Sequence, residues 1–130
     1  MKNFDEWNEV KKTIQYSMVS DRTFFYEREV WWVRLGINIG DEEDGKDDGY
    51  IRPVIILRKY SKRSFLAIPM SSVTKSSIYY YEFNFKGENV SAILSQIRFM
   101  DSRRLFKIEG KISKEEFAKL IKTTIEVNFQ

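Results

Sequence analysis

The residues best equipped for chemistry sit in one stretch, Ile51 to Ser72, which reads IRPVIILRKYSKRSFLAIPMSS. Arg52 stands next to Pro53 at its start, and the hydroxyls of Ser71 and Ser72 close it. Between them lie two apolar, β-branched-rich runs, Arg52 to Arg58 and Ser64 to Met70, joined by the polar segment Lys59 to Arg63. Short runs of this kind bounded by polar clusters are strand signals, and the pair predicts a hairpin. Such a hairpin returns the end of its second strand to the start of its first, bringing Arg52 and Ser71 to the same end of a sheet. A fixed cation beside a hydroxyl is what a phosphate site needs. The competing reading pairs Arg52 with acidic residues and leaves Ser71 as a strand-end hydroxyl. The chain has no histidine and no cysteine. That removes histidine-based acid–base pairs, thiol nucleophiles, thiolate metal sites and disulfides. Any catalysis must use Arg, Lys, Tyr, Ser, Thr, Asp or Glu.

The elements that position these residues belong to one domain. A chain of 130 residues, 42% hydrophobic and 15% aromatic, can bury a single core and is not disordered in composition. No apolar run approaches the ~18 residues that span a bilayer. The charged start, Met1-Lys2-Asn3-Phe4-Asp5-Glu6-Trp7, lacks a signal-peptide core, so a cytoplasmic location and no membrane partner are expected. Net charge is +3, but it is unevenly placed: residues 41–50 hold six acids and one lysine, whereas residues 51–111 hold twelve bases and four acids. A basic, β-rich middle favours a polyanionic partner. The acidic run is expected to be a surface loop able to fold over the basic face. It fits a calcium loop poorly, since Gly45 falls fifth and Arg52 twelfth when Asp41 is counted first.

In order along the chain, Asn3 to about Tyr16 predicts a helix, with Asn3 and Glu6 as a capping pair and Phe4, Trp7, Val10 and Ile14 as its apolar stripe. Ser17 to Arg22 is an exit loop. Phe24 to Leu35 is β-rich; Val30 and Trp32 share one face, Trp31, Val33 and Leu35 the other. Ile78 to Phe85 predicts a strand and Val90 to Met100 another, with a bend after Leu94. Leu105 to Ile108 is a last short strand, broken by Gly110. Ser113 to about Val127 is a helix capped by Ser113 and Glu116, burying Phe117, Leu120, Ile121 and Ile125. Five or six short strands without βαβ alternation, flanked by two helices, predict a mainly β fold built on a small antiparallel barrel.

Several segments resemble the MazF/PemK toxins of bacterial toxin–antitoxin systems. Trp31-Trp32-Val33-Arg34-Leu35-Gly36, a loop, and Arg52-Pro53-Val54-Ile55-Ile56-Leu57 look like the opening of that family. Ile68-Pro69-Met70-Ser71-Ser72 resembles its strand ending in Thr or Ser. Leu94-Ser95-Gln96-Ile97-Arg98, followed by Asp101 and Arg104-Leu105, resembles its Gln-Ile-Arg segment. Gly110 to Glu116 resembles the start of its C-terminal helix. The resemblance covers about residues 28–122.

The resemblance implies an SH3-like (CcdB/PemK-like) barrel at residues 24–130, preceded by a helical extension at 1–23. It implies a homodimeric, metal-independent endoribonuclease that cleaves single-stranded RNA without a cofactor. The substrate's own 2′-hydroxyl attacks the adjacent phosphate, leaving a 2′,3′-cyclic phosphate and a 5′-hydroxyl. It also implies a cognate antitoxin protein as partner. Arg52 and Ser71 match the catalytic pair; Ser72, Trp31, Arg58, Gln96 and Arg98 are the expected substrate contacts. Arginine ionises above ~12, so Arg52 suits electrostatic stabilisation better than proton donation. Exposed aromatics, with Phe24, Tyr79 and Tyr81 as candidates beside Trp31, could stack on splayed bases. The long acidic loop departs from the short, glutamine-containing loop of many relatives, and Ser71 stands where threonine is commoner. The alternative functions are a CcdB-like gyrase poison, a non-catalytic nucleic-acid-binding relative, and a barrel that binds RNA or the ribosome through its basic face.

Overall fold

A computed structural model describes residues 2–16, 24–40, 42–45 and 50–130. The expected exit loop 17–22, and Asp41 and residues 46–49 of the acidic run, lie outside the described residues. The elements are α1 (Phe4–Tyr16), β1 (Glu29–Arg34), β2 (Ile51–Ser61), β3 (Ser64–Ser71), β4 (Tyr80–Phe85), β5 (Glu88–Ile93), β6 (Arg98–Asp101), a 3₁₀ turn (Ser102–Arg104), β7 (Leu105–Lys111) and α2 (Lys114–Phe129).

All strand pairings are antiparallel, in the order β4-β5-β3-β2-β1-β7, with β6 also on β3. The expected mainly β fold with a helix at each end is present. The sheet has seven strands and no ladder joins its two ends among the described residues, so it curves without closing. The segment expected as one bent strand from Val90 to Met100 is two. β5 takes one end of the β3 edge, at Met70 and Ser71, and β6 takes the other, from Ser64 to Ala67. Gly110 does not end β7, which continues to Lys111. A Cβ at Gly110 would lie 2.9 Å from the Phe85 ring, so glycine there admits an aromatic side chain rather than stopping the strand.

Strand parity sorts the apolar residues into two buried groups. Val30, Ile55, Ile68 and Met70 pack under α2, with Leu120 from the helix. Val33, Leu35, Val54, Ile56, Phe65 and Met100 form the other group, with Phe25. The two-residue period of a strand requires this split, because neighbours in sequence point to opposite faces. Trp31 packs on the second group and Trp32 faces the other way, and neither is fully buried. Their indole N–H groups donate to Glu29 and Glu109, both at 3.0 Å.

Both helices start as their capping residues predict. Asn3 Oδ1 accepts from the Glu6 backbone at 3.0 Å, and Ser113 Oγ accepts from the Glu116 backbone at 3.1 Å. On α2, Leu120 and Thr124 are the buried residues while Ile125 is exposed, so the stripe runs one residue off the expected position. The Thr124 hydroxyl is satisfied by the Leu120 carbonyl at 2.7 Å, which lets a threonine take the inward position. On α1, Trp7 and Ile14 are buried, whereas Phe4 is exposed.

Asp101 caps the 3₁₀ turn and grips Arg103 through both carboxylate oxygens, each at 2.9 Å. Arg103 in turn donates to the Gln15 carbonyl at the end of α1 at 3.0 Å. The hydrogen bonds from Arg103 hold the Asp101 carboxyl below its ordinary value of 3.8. A carboxyl depressed in the folded state adds stability that is present above its unfolded pKa and lost as pH falls through the folded one. Asp101→Asn should therefore lower the melting temperature at neutral pH. The gap to the unsubstituted chain should narrow as pH falls below the ordinary carboxyl value of 3.8 and through the lower folded one, measured by thermal melts across the acid range.

Candidate functional site

The site is assembled at the start of β2. Arg52 is 7% exposed, and each of its three guanidinium nitrogens is engaged. Nη1 donates to the Met70 carbonyl on β3 at 3.0 Å, Nε to the Asp44 carbonyl at 2.7 Å, and Nη2 meets Glu43 Oε2 at 2.9 Å. The first contact ties the cation to the backbone beside Ser71. The β2–β3 register begins with Val54 opposite Pro69, so the start of β2 and the end of β3 lie at the same end of the sheet. The other two contacts come from the acidic loop, so the sequence expectation of a loop folded over the basic face holds for the described part of that loop.

The loop is built to hold this shape. Its neck is closed by Gly36 N–H donating to the Tyr50 carbonyl at 3.1 Å and Gly45 N–H donating to the Gly36 carbonyl at 2.7 Å. Gly36 has φ +82°, a conformation that favours glycine. Inside, Asn38 N–H donates to Asp44 Oδ1 at 2.6 Å, its side-chain amide donates to the Glu43 carbonyl at 2.8 Å, and Ile39 N–H donates to Glu42 Oε1 at 2.8 Å. Short polar side chains here satisfy a backbone that no ladder satisfies.

Beyond Arg52 the loop reaches the segment after β5. Glu43 N–H donates to Gln96 Oε1 at 2.7 Å. A cleft of about 330 Å³ lies there, lined by Asn38, Glu42, Glu43, Gln96 and Arg98 over Pro69. Burial pushes the Arg98 guanidinium below its usual value, and the Glu42 carboxylate opposes that shift. Arg104, which donates to the Arg34 and Leu35 carbonyls at the root of the loop, is pushed down to about 10 by burial and then by Arg98. Arg52 and Arg98 thus each meet a carboxylate of the loop, Glu43 and Glu42 respectively, while Arg104 lines a separate cleft with Trp7, Asp101 and Arg103. In a poorly hydrated setting, charges of this kind act on an anion more strongly than they would in water.

The other expected contacts distribute unevenly. Ser71 ends β3; its hydroxyl accepts from the Val73 N–H at 3.1 Å, a turn contact, and it borders a second cleft of about 230 Å³ with Ser72, Pro53 and Trp32. Arg58 is not brought to the site. The β2–β3 register slips between Ile56 and Arg58, and the side chain points to solvent, 3.9 Å from Glu27. Trp31 sits across from Val54 on the neighbouring strand. Phe24 and Tyr79 are exposed, while Tyr81 gives its hydroxyl to Glu116, and burial pushes that phenol above its ordinary value.

Two features went unread in the sequence. Ser91, fully buried directly across from Ser71, has a hydroxyl with no hydrogen-bond partner among the described residues. Glu43 and Asp44 are the residues of the acidic run that meet Arg52; the run's charge density signalled the contact but not its members.

The curved sheet is shared with toxin structures. MazF from Deinococcus radiodurans superposes with a TM-score of 0.66 at 16% identity, over 81% of this chain and 96% of that one. An endoribonuclease in complex with its cognate antitoxin from a mycobacterial species gives 0.63 at 9%, over 82% and 98%. The Mycobacterium tuberculosis toxin MazF-mt6 gives 0.58 at 11%, over 76% and 94%. At these identities the likeness is one of fold. No relative was found among curated proteins. A family profile settles the class: the PemK-like, MazF-like toxins of type II toxin–antitoxin systems match residues 26–127. The chain belongs to this family, and α1 lies before the matched region.

Proposed function

We propose that this toxin is a metal-independent endoribonuclease that cleaves single-stranded RNA by attack of the substrate's 2′-hydroxyl on the adjacent phosphate. The observation that carries the reading is the placement of Arg52: a nearly buried guanidinium, anchored to the Met70 carbonyl next to Ser71, inside the region that the family profile matches. A reaction whose nucleophile belongs to the substrate needs no histidine or cysteine from the protein. It needs charge stabilisation around a phosphorus that gains negative charge, which Arg52 can supply, with Arg98 in the adjoining cleft. In this reading Arg52 forks onto non-bridging phosphate oxygens, Ser71 orients the phosphate or the 2′-hydroxyl, and Gln96 and Arg98 contact the flanking nucleotides. The 2′-hydroxyl loses its proton to water as the O2′–P bond forms, the P–O5′ bond breaks, and the leaving 5′-oxygen takes a proton from water, giving a 2′,3′-cyclic phosphate and a 5′-hydroxyl.

The partners in this reading are RNA, a second copy of the chain, and an antitoxin. Exposed apolar side chains such as Phe99, Phe106 and Ile108 offer surface for protein contacts, and the mycobacterial relative binds its own antitoxin. A cytoplasmic location is part of the proposal; among the described residues no helix is long and apolar enough to cross a membrane.

The test is cleavage of a long single-stranded RNA by purified protein in EDTA, with the ends mapped. Discrete cuts carrying 5′-hydroxyl ends and 2′,3′-cyclic phosphates are expected. Products with 5′-phosphates, or cutting that requires added metal, would overturn the mechanism.

A further inference from the structure

The site is already occupied, by the chain itself. Two of the expected substrate contacts are taken by one residue of the acidic loop: Glu43 meets Arg52 with its carboxylate and Gln96 with its backbone N–H. The carboxylate of Glu43 offers the arginine fork the same kind of charged oxygen that a phosphate would. Both cannot hold that nitrogen at once.

The loop is in turn gripped by α1 and by Lys2 just before it, both outside the family match. Lys2 ammonium donates to the Asn38 carbonyl, to the Gly40 carbonyl at 3.2 Å, and pairs with Asp44 at 3.1 Å. The Trp7 indole lies on Gly36 so closely that a Cβ there would come within 2.1 Å of it, and it packs against Tyr50 with ring centroids 5.4 Å apart. Gly36 and Tyr50 are the two residues that close the neck of the loop. Arg103 holds the other end of the helix through the Gln15 carbonyl. Lys2, just before α1, thus reaches into the loop, the buried tryptophan of α1 sits on the loop's neck, and the helix's last turn is pinned to the 3₁₀ turn.

We propose that α1 and the acidic loop form a built-in competitive inhibitor, in which Glu43 holds the Arg52 site in place of a substrate phosphate and α1 keeps the loop shut. The proposal rests on the ribonuclease reading for the identity of the natural substrate, but not for the competition itself. Substrate binding requires the loop to release Arg52, so the apparent affinity is reduced by the fraction of chains that are open. Loosening the clamp raises that fraction. An open fraction of a tenth or less in the unsubstituted chain gives about a tenfold gain or more on release.

The experiment uses the full-length chain and three variants, Lys2→Ala, Trp7→Ala and Glu43→Gln, each checked for folding by circular dichroism. The probe is a fluorescein-labelled single-stranded DNA oligonucleotide, which lacks the 2′-hydroxyl and cannot be cut by the proposed reaction. Fluorescence anisotropy reads its binding, and a parallel assay follows cleavage of single-stranded RNA. All three variants are expected to bind the DNA about tenfold more tightly. Lys2→Ala is the sharpest of them and leaves the core untouched. It removes a positive charge, which by simple attraction to a polyanion would weaken binding, whereas unlatching strengthens it. Unchanged or weaker binding by Lys2→Ala and Trp7→Ala would overturn the latch, as would no binding by any chain. Tighter binding without cleavage would leave the latch standing and remove the ribonuclease reading. Equal cleavage and equal binding across all chains would remove the latch and leave the ribonuclease.

Discussion

Arg52→Ala is expected to lower kcat/KM for RNA cleavage by about 10²–10³-fold, the usual cost of deleting a main donor to a developing oxyanion. The side chain is positioned by the Met70 carbonyl rather than by solvent, so alanine leaves no neighbouring group to take its place. The same substitution strands Glu43 and two backbone carbonyls. Breaking a fully buried pair from one side costs roughly 3–5 kcal/mol; the Glu43 side chain is 22% exposed, so the lower end or less is expected here. The melting temperature must therefore be measured alongside activity. Arg52→Lys separates the two effects. It retains a cation for Glu43 but loses the fork, so it should melt close to the unsubstituted chain and still cleave at least about tenfold more slowly. If both variants fold and cut RNA at the original rate, Arg52 is only a tie for the loop, and the site has been misplaced.

Gly36→Ala is expected to dislodge α1. Two costs coincide at this residue. Its φ of +82° strains any side chain by about 1–2 kcal/mol, and the new Cβ would overlap the Trp7 indole at 2.1 Å. The indole is rigid, 5% exposed and packed on both Gly36 and Tyr50. The helix must lift instead, leaving Trp7 and Ile14 in water. Limited proteolysis at Lys11 and Lys12 should then cut the variant well before the unsubstituted chain. A double-mutant cycle isolates the cause: in a Trp7→Ala background the overlap is gone, and adding Gly36→Ala should cost only the backbone part. Equal cost in both backgrounds would show that the indole contact is not what forbids a side chain at Gly36.

Much of the scaffold was legible because it is local. A strand alternates every two residues, so Val30 and Trp32 had to separate from Trp31 and Val33 whatever they packed against. Helix starts depend on a cap and its partner three residues on, which Asn3–Glu6 and Ser113–Glu116 displayed openly. The hairpin from Ile51 to Ser72 was readable for the same reason, and with it the meeting of Arg52 and the Ser71 end of β3. Where local signals conflicted with packing, packing prevailed. Gly110 read as a break but accommodates Phe85, and Thr124 took the inward place expected of Ile125.

The candidate site divides along the same line. The sequence by itself determined which groups were available: an arginine beside a proline, hydroxyls at a strand end, a Gln-Ile-Arg segment, an acidic run, and no histidine or cysteine. It also determined that Arg52 and Ser71 share one end of a sheet, because hairpin pairing needs only the chain between them. The tertiary structure alone decided which of these groups meet. Arg58 lies six residues along the same strand from Arg52, roughly 20 Å away at a strand's rise per residue, and its side chain turns to solvent beside Glu27. Contacts between segments distant in sequence put Gln96 on Glu43 and Lys2 on Asp44. An irregular loop has no period, so nothing in its order of residues says which carboxylate will face inward. That choice follows from the closed neck at Gly36 and Tyr50, from the indole packed on it, and from the guanidinium that Glu43 and Asp44 jointly satisfy.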